Sequence, residues 1–311
     1  MRHALALSLL LLCACDRHAR RADAAPRSDE VEYRGMCDAS GAVALGADQF
    51  AVADDEDNVL RVYDAAHGGG PRSAVDVSAA LGLLGKKHVR EADIEAATRF
   101  GAYALWLTSH GRNRSGKRQR ARFKFFATTA PEHGAPLELV GRPYEALLDD
   151  LMSDPSSASL DLSTASKLAP KAEGGLNIEG LSATLDGKAA LVGFRNPVPG
   201  GRAIVVPFEN PIEVLQGERA RFAAPLLVDV GGLGVRSIGV WRGSYVISAG
   251  AAQDDEGHAS RLFLWDGKTA PRAVDVDLRD FTPEAIVSFA NRSELLLLSD
   301  DGSRTLGGGR C

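Results

Sequence analysis

The residues Leu60-Arg-Val-Tyr-Asp64, followed by Pro71-Arg-Ser-Ala-Val-Asp-Val77, recur near the other end of the chain. The second copy is Leu262-Phe-Leu-Trp-Asp266, followed by Pro271-Arg-Ala-Val-Asp-Val276. Each copy consists of two short strand patterns joined by a turn, and duplicated sheet units of this kind close into a ring or stack into an array. The repeat therefore predicts an all-β fold built from copies of one antiparallel unit.

Five copies of the unit can be aligned along the chain. In each copy a short apolar strand runs into a polar turn and then into a third strand, a pattern typical of the blades of a β-propeller. The five apolar strands are residues 50–53, 104–107, 190–193, 245–248 and 295–298. We predict a β-propeller over residues 31–311 with about five four-stranded blades, or six if residues 140–175 hold a degenerate copy. Residues 31–34 are expected to complete the last blade.

One segment, residues 143–152, breaks the repeat. Its apolar side chains recur at helical spacing, with acidic residues between them. These apolar residues are Leu147, Leu148, Leu151 and Met152. The stretch that follows is rich in Ser, Ala and Pro and is typical of a long loop. We therefore predict a helical and loop insertion at about residues 142–175.

The N-terminal residues have the pattern of an export signal: a positive start, an apolar stretch and small residues before Cys15. The sequence Leu12-Cys13-Ala14-Cys15 resembles a bacterial lipoprotein lipobox, in which the final cysteine carries the lipid. We predict a signal peptide over residues 1–14, lipidation of Cys15 and a solvated tether over residues 15–30. The alternative is simple cleavage without lipid. The expected location is the bacterial cell envelope, periplasmic or extracytoplasmic, and either membrane could receive the anchor.

The chain has four cysteines. Removal of the signal peptide takes Cys13 away and lipidation occupies Cys15, which leaves Cys37 and Cys311. Because export favours oxidation, we predict a disulfide between these two residues that ties the ends of the domain together. The alternative is two free thiols.

Composition and charge narrow the classes of partner. The 311 residues carry a net charge of -5, and a negative chain argues against nucleic acid, because binding a polyanion rewards a basic face. The sequence contains no Gly-x-Ser-x-Gly elbow, no His-Glu-x-x-His and no P-loop. Standard catalytic machinery is therefore not predicted.

A basic segment is the local exception to the acidic balance. Seven Lys or Arg lie within the thirteen residues 112–124, and the second half of this segment alternates cationic with apolar residues, as a strand with one cationic face would. Two interpretations stay open: a solvated hairpin, or an arm that binds anionic headgroups or an anionic envelope polymer. His110, in the preceding turn, is expected to open onto a propeller face, either as a general base or as an ordinary loop histidine.

Charged residues recur at one position of the aligned copies. Glu95, Glu179, Arg236 and Glu284 are equivalent in this alignment, and Asp38 is a looser fifth. Because the first strand of a propeller blade lines the central channel, these side chains are expected to converge. Converging carboxylates suit Ca²⁺ or another hard cation, and the alternative is a solvated channel in which the arginine neutralises its acidic neighbours. The acidic turns at residues 54–57 and 254–256 are expected to be solvated or, less often, to hold cations.

Four motifs resemble a known family. Gly175-Leu-Asn-Ile-Glu-Gly-Leu181, Val192-Gly-Phe-Arg-Asn-Pro197, Gly234-Val-Arg-Ser-Ile238 and Thr108-Ser-His-Gly-Arg-Asn113 are similar to motifs of domain-of-unknown-function family 3616, bacterial proteins of propeller-like form. The resemblance covers roughly residues 35–300 and implies a fold, not a reaction. A weaker similarity links the chain to phytase-like esterase propellers, through the Glu-Gly or Glu-Ala step in the first strand.

Two functions remain open on the sequence. The first is a lipid-anchored module of the cell envelope that binds a small molecule, polymer or partner protein. The alternative is a Ca²⁺-dependent phosphoesterase, with Glu95, Glu179 and Glu284 as metal ligands and Arg195 and Arg236 holding the substrate. His110 belongs to the candidate ligand-binding residues in either case.

Overall fold

The computed structural model describes residues 30–132, 134–253, 260–278, 281–302, 305–306 and 309–310. The predicted signal peptide, the lipidation site Cys15 and nearly all of the tether lie outside the described residues. Cys311 also lies outside them, so its disulfide with Cys37 stays a prediction. No helix in the described part of the chain is long and apolar enough to cross a membrane.

Four antiparallel sheets have four strands each, and within each sheet the strands pair in chain order. The first sheet is β1 (Ala39–Leu45), β2 (Gln49–Asp54), β3 (Val59–Asp64) and β4 (Ser73–Asp76); the second is β5 (Ile94–Phe100), β6 (Tyr103–Thr108), β7 (Phe125–Thr129) and β8 (Leu139–Tyr144). The third is β9 (Asn177–Ala183), β10 (Ala190–Asn196), β11 (Ala203–Phe208) and β12 (Leu226–Val228); the fourth is β13 (Gly234–Trp241), β14 (Ser244–Gly250), β15 (Arg261–Trp265) and β16 (Arg272–Ala273).

A fifth sheet follows with two strands, β17 (Pro283–Ser288) and β18 (Leu295–Ser299). The short strands β19 (Thr305–Leu306) and β20 (Gly309–Arg310) pair only with each other in the described residues. The first strands of the five sheets contact one another in the order β1, β5, β9, β13 and β17, and β17 contacts β1 again. A ring of consecutive antiparallel sheets is a β-propeller, so the predicted fold is confirmed with four complete blades. A fifth complete blade stays a prediction.

The two copies of the opening repeat occupy equivalent places in this ring. Residues of the first copy form β3 and β4, where Leu60 pairs with Val75. Those of the second copy form β15 and β16, where Phe263 pairs with Ala273. Leu60 and Phe263 are both buried. The repeat was therefore a duplicated outer half of a blade, and the third strand of each copy carries buried apolar residues.

Apolar clusters lie between neighbouring sheets. One joins the first and second sheets around Trp106 and Phe126, and another joins the third and fourth around Ile247. The first strands approach so closely that side chains do not fit everywhere. A Cβ on Gly41 of β1 would lie 2.7 Å from the backbone carbonyl carbon of Ala96 in β5, nearer than real Cβ atoms come. Glycine at this position lets the inner strands converge.

The predicted insertion is present after the second sheet. Helix α1 (Leu147–Ser153) buries Leu147, Leu148 and Leu151, as the spacing predicted. A 3₁₀ turn at Pro155–Leu160 and helix α2 (Leu162–Ala165) lead into β9. The predicted helix was too long at its start, because residues 143 and 144 end β8. After β8, residues up to 175 add no strand, so this stretch supplies no further blade.

The N-terminal segment does not close the last blade as predicted. Tyr33 bridges in parallel to Gly69 of the first sheet. The two ends of the ring meet at the residues just before β1 and just after β18. There Asp38 forms a β-bridge with Asp300, and the Asp301 backbone N–H donates to the Cys37 carbonyl over 2.9 Å. The apolar pocket around Tyr33, formed by Phe50 and Tyr63, explains the difference, because it holds the aromatic ring against the first sheet.

Candidate functional site

The charged residues at the aligned positions occupy β-bulges. In four of the five first strands the pairing register skips one residue. The skipped residues are Glu95 in β5, Glu179 in β9, Arg236 in β13 and Glu284 in β17. A bulge bends the strand and re-aims the extra side chain. All four residues are buried, and contacts between their side chains cross from sheet to sheet at the centre of the ring. In β1 the irregularity falls between Ala39 and Ala42, so the equivalent place belongs to Ser40–Gly41 and not to Asp38.

Three of these residues form one ionic network with Arg195. The Glu179 carboxylate accepts a hydrogen bond from Arg195 Nη1 over 3.0 Å and lies 3.2 Å from Arg236 Nε, an ion pair whose atoms are not aligned as a hydrogen bond. Arg236 Nη2 pairs with Glu284 Oε1. Asn177 Nδ2 donates to Glu179 Oε1 over 2.5 Å. Arg195 is itself a bulge residue, on β10, so bulges aim both the acids and their partners inward.

Glu95 stands apart from this network. Its residue is 7% exposed, yet its side chain makes no hydrogen bond or ion pair among the residues that the structure describes. Its carboxylate lies with those of Asp55 and Asp93, and one oxygen from each of the three is within 4.8 Å of the other two. Asp38 and Asp54 form a second such group with Asp55. The predicted set of three glutamates is thus divided, because Glu179 and Glu284 face arginines while Glu95 faces aspartates.

Local structure holds the two aspartates in place. Asp93 precedes β5 in a left-handed conformation, with φ of 61°, and its carboxylate accepts a hydrogen bond from Arg122 Nη1 over 2.7 Å. Asp55 lies in the turn between β2 and β3, where its backbone N–H donates to the Asp38 carbonyl over 3.2 Å. Asp55 Oδ1 is buried without a hydrogen-bond partner. The acidic turn could be recognised in the sequence. Its contact with Asp93 and Glu95 could not, because these residues belong to a different sheet and no sequence periodicity links them to the turn.

Burial raises the pKa of each acid in this cluster. Burial first, and then Glu179, Asp93 and Asp55, raise the pKa of Glu95 well above its ordinary value. Burial and the neighbouring Asp93 raise the pKa of Asp55 to about 8. The pKa of Asp93 rises only to about 6, because Arg122 opposes the effect of burial. The fold therefore disfavours the charge that these groups carry in water at neutral pH.

His110 does not open onto a propeller face. It is buried, with Nδ1 at 2.8 Å from the Thr108 carbonyl and its ring edge-on to Phe123. Burial lowers its pKa to about 4, so the imidazole is neutral at physiological pH. Nε2 has no hydrogen-bond partner in the described residues. This environment is that of a packed core histidine.

The basic segment is folded against acidic side chains. Residues Arg120–Arg122 form a 3₁₀ turn instead of the predicted strand, and β7 begins only at Phe125. The Thr108 hydroxyl binds the backbone of this stretch, because it donates to the Arg122 carbonyl over 2.7 Å and accepts from the Lys124 N–H over 2.8 Å. The cations are paired as Arg118 with Asp149, Arg120 and Lys124 with Glu145, and Arg122 with Glu91 and Asp93.

Fold and site together define the class of protein: a β-propeller whose first strands carry charged residues at bulges. The chain belongs to the family described as protein of unknown function (DUF3616), whose model matches residues 137–294, just over half of the chain. The matched region contains the network of Glu179, Arg195, Arg236 and Glu284. Asp55, Asp93 and Glu95 lie outside it. No curated protein matches the chain.

Three solved structures are similar to the chain. Glutaminyl cyclase from Myxococcus xanthus is similar with a TM-score of 0.50 at 11% identity, over 86% of this chain and 88% of that chain. The PQQ-bound aldose sugar dehydrogenase from Streptomyces coelicolor has a TM-score of 0.45 at 13% identity, covering 90% and 94%. The β-propeller domain of Cps50 (Swd1) from Myceliophteria thermophila has a TM-score of 0.38 at 14% identity, covering 86% and 95%. At these identities the similarity concerns the fold alone.

Proposed function

We propose that the chain is a binding module of the bacterial cell envelope, anchored by lipid on Cys15, that takes its ligand at the acidic end of the ring and catalyses no reaction. One observation favours a binding module over a phosphoesterase. The two arginines that would hold a phosphate, Arg195 and Arg236, are both paired with carboxylates. A phosphate would have to displace Glu179 and Glu284 from a buried network, which costs more than it returns.

The acidic end offers the opposite chemistry. Glu95 is the aligned carboxylate left without a partner within the described residues, and its neighbours Asp55 and Asp93 are acidic too. A cation that replaces the protons on these carboxyls gains the full attraction of the ionised groups, whereas a phosphate would be repelled by them. The ligand that fits is therefore a cation, or a molecule that presents one.

The absence of catalysis is tested with a panel of phosphomonoesters and phosphodiesters, assayed with Ca²⁺ and with Mg²⁺. We expect no turnover above that of the Glu179→Gln variant, because Glu179 would be a metal ligand in the phosphoesterase and only a structural partner in the binding module. Turnover in the wild-type chain that Glu179→Gln abolishes, with the fold intact by circular dichroism, would contradict the proposed function.

The lipid anchor is tested by fractionation of cells that express the full-length chain. Wild-type protein is expected in the membrane pellet and Cys15→Ser protein in the soluble fraction, because only the cysteine thiol accepts the lipid and one residue removes the whole acyl anchor. Cys13→Ser is the matched control, since it changes a neighbouring cysteine and keeps Cys15. Membrane retention of Cys15→Ser would rule out lipidation at this residue.

A further inference from the structure

We infer that Asp55, Asp93 and Glu95 form a binding site for one hard divalent cation, Ca²⁺, at the junction of the first and second sheets. The inference deepens the proposed function by naming the ligand of its acidic end. One oxygen from each carboxylate lies within 4.8 Å of the other two. Two oxygens bound at about 2.4 Å to the same Ca²⁺ are separated by at most about 4.8 Å, so a single ion can reach all three.

The second line of argument is that these carboxylates lack partners. Glu95 is more than nine-tenths buried without a hydrogen bond or ion pair in the described residues, and Asp55 Oδ1 is buried without a hydrogen bond. Arg236, the cation that acts on Glu95 through space, is engaged with Glu179 and Glu284. Buried charges are ordinarily paired or bound to metal. A cation at the common centre supplies the missing partner for both groups.

The ligand chemistry selects the class of ion. All three groups are carboxylates, which suit hard cations, whereas Zn²⁺ and copper favour nitrogen and sulfur ligands. The adjoining carboxylates of Asp38 and Asp54 form a group with Asp55 and extend the oxygen surface. Ca²⁺ takes six to eight oxygens in flexible geometry, while Mg²⁺ demands a near-ideal octahedron and retains its water. A site assembled from a turn of one sheet and a bulge of the next therefore favours Ca²⁺.

Two of the three proposed ligands, Asp93 and Asp55, are held in place by the protein itself. Arg122 binds Asp93 through a 2.7 Å hydrogen bond, and the Asp54 carboxylate accepts the Glu56 N–H over 3.0 Å in the turn that carries Asp55. Ordering of ligand residues before binding lowers the entropy cost of capturing the ion. Arg122 also offsets part of the negative charge on Asp93, so the site is expected to bind more weakly than three unopposed carboxylates would.

The test is isothermal titration of Ca²⁺ into the chelator-treated full chain, with thermal unfolding as a second readout. We expect one equivalent of Ca²⁺ to bind and to raise the melting temperature. Glu95→Gln and Asp55→Asn are each expected to weaken binding at least about tenfold. Glu56→Gln is the matched control: it removes the same charge from the same acidic turn, but its carboxylate is exposed and outside the cluster. Its affinity should stay within about threefold of wild type, the change that exposed charges produce.

The outcomes separate this inference from the proposed function. Failure of the wild-type chain to bind Ca²⁺, or equal losses in Glu56→Gln and Glu95→Gln, overturns the cation site. If Ca²⁺ does not bind, but a polyamine probe such as spermidine binds and Glu95→Gln weakens its binding, the proposed binding function is supported and the divalent cation site is overturned. Binding of Ca²⁺ together with phosphoester turnover would support the site and overturn the proposed function. Mg²⁺ binding as tightly as Ca²⁺ would contradict the assigned selectivity.

Discussion

Replacement of Arg236 by methionine is expected to destabilise the folded chain by about 3–5 kcal/mol. Methionine replaces the aliphatic part of the arginine side chain, but the change leaves Glu179 and Glu284 buried without the cation that joins them. Breaking a buried ion pair from one side is costly, because the remaining charge cannot return to water. The measurement is urea unfolding followed by circular dichroism.

Two further variants make this result interpretable. Arg202→Met, at an exposed arginine, is the matched control and should change stability by less than about 0.5 kcal/mol. The double variant Arg236→Met with Glu284→Gln should recover part of the loss, because it removes the charge of Glu284, whereas Glu179 keeps its ion pair with Arg195. Equal stabilities of Arg236→Met and Arg202→Met would show that the network contributes nothing to folding.

The second large effect concerns Glu95 in the absence of cations. Burial and its acidic neighbours raise the pKa of Glu95 well above that of the unfolded chain. Such a group contributes stability only while it is protonated, below its unfolded value of about 4.5, and this contribution is lost as pH rises through the folded pKa. In chelator, the stability of the wild-type chain should therefore fall as pH rises above about 4.5 toward the raised pKa of Glu95. At pH 8 the melting temperature of Glu95→Gln should exceed that of wild type by about 2–4 °C for each kcal/mol that removal of the buried charge adds to the free energy of unfolding.

Other charged groups near Glu95 determine how much of the pH dependence of stability belongs to Glu95 alone. The groups that act on Glu95 itself are Glu179, Asp93, Asp55 and Arg236. Asp38, Asp54 and Asp300 act on Asp55, and Arg122 acts on Asp93. Because Asp55, with a pKa of about 8, titrates over the same range, Glu95→Gln should reduce the pH slope without abolishing it. Glu56→Gln is again the control and should leave the slope unchanged. A melting temperature that rises with pH in chelator would mean that these carboxyls are ionised and stabilised in the fold.

Much of this site could be predicted from the alignment of repeats. Glu95, Glu179, Arg236 and Glu284 were matched by their local sequences, and all four occupy skipped positions of their ladders. The fifth position was misassigned to Asp38, because Ser40 carries no charge to attract notice. Yet Ser40 is buried and its hydroxyl donates to the Ile94 carbonyl over 2.5 Å. In the first sheet, the neutral residue Ser40 therefore takes the place that charged residues take in the other sheets.

The partners of these residues could not be predicted in the same way. Glu179 and Glu284 meet Arg236 because three adjacent sheets bring their bulges together, whereas Glu95 lies beside a turn of the first sheet. The basic segment shows the same limit. Its apolar residues Ala121, Phe123 and Phe125 are buried as their spacing predicted. Four of its cations form ion pairs that the spacing did not predict: Arg118, Arg120 and Lys124 with α1 or with Glu145 just before it, and Arg122 with the residues before β5.

The sequence by itself determined the repeated unit, the order of the strands within a sheet and the identity of the four charged residues at the bulges. These follow from local chemistry, because alternation, turns and bulges are set by neighbours along the chain. Only the tertiary structure decided which carboxylates are neutralised by arginine and which are left facing one another. That choice depends on distances between residues of different sheets, and a few ångströms separate a satisfied ion pair from an unpartnered acid that a cation can bind.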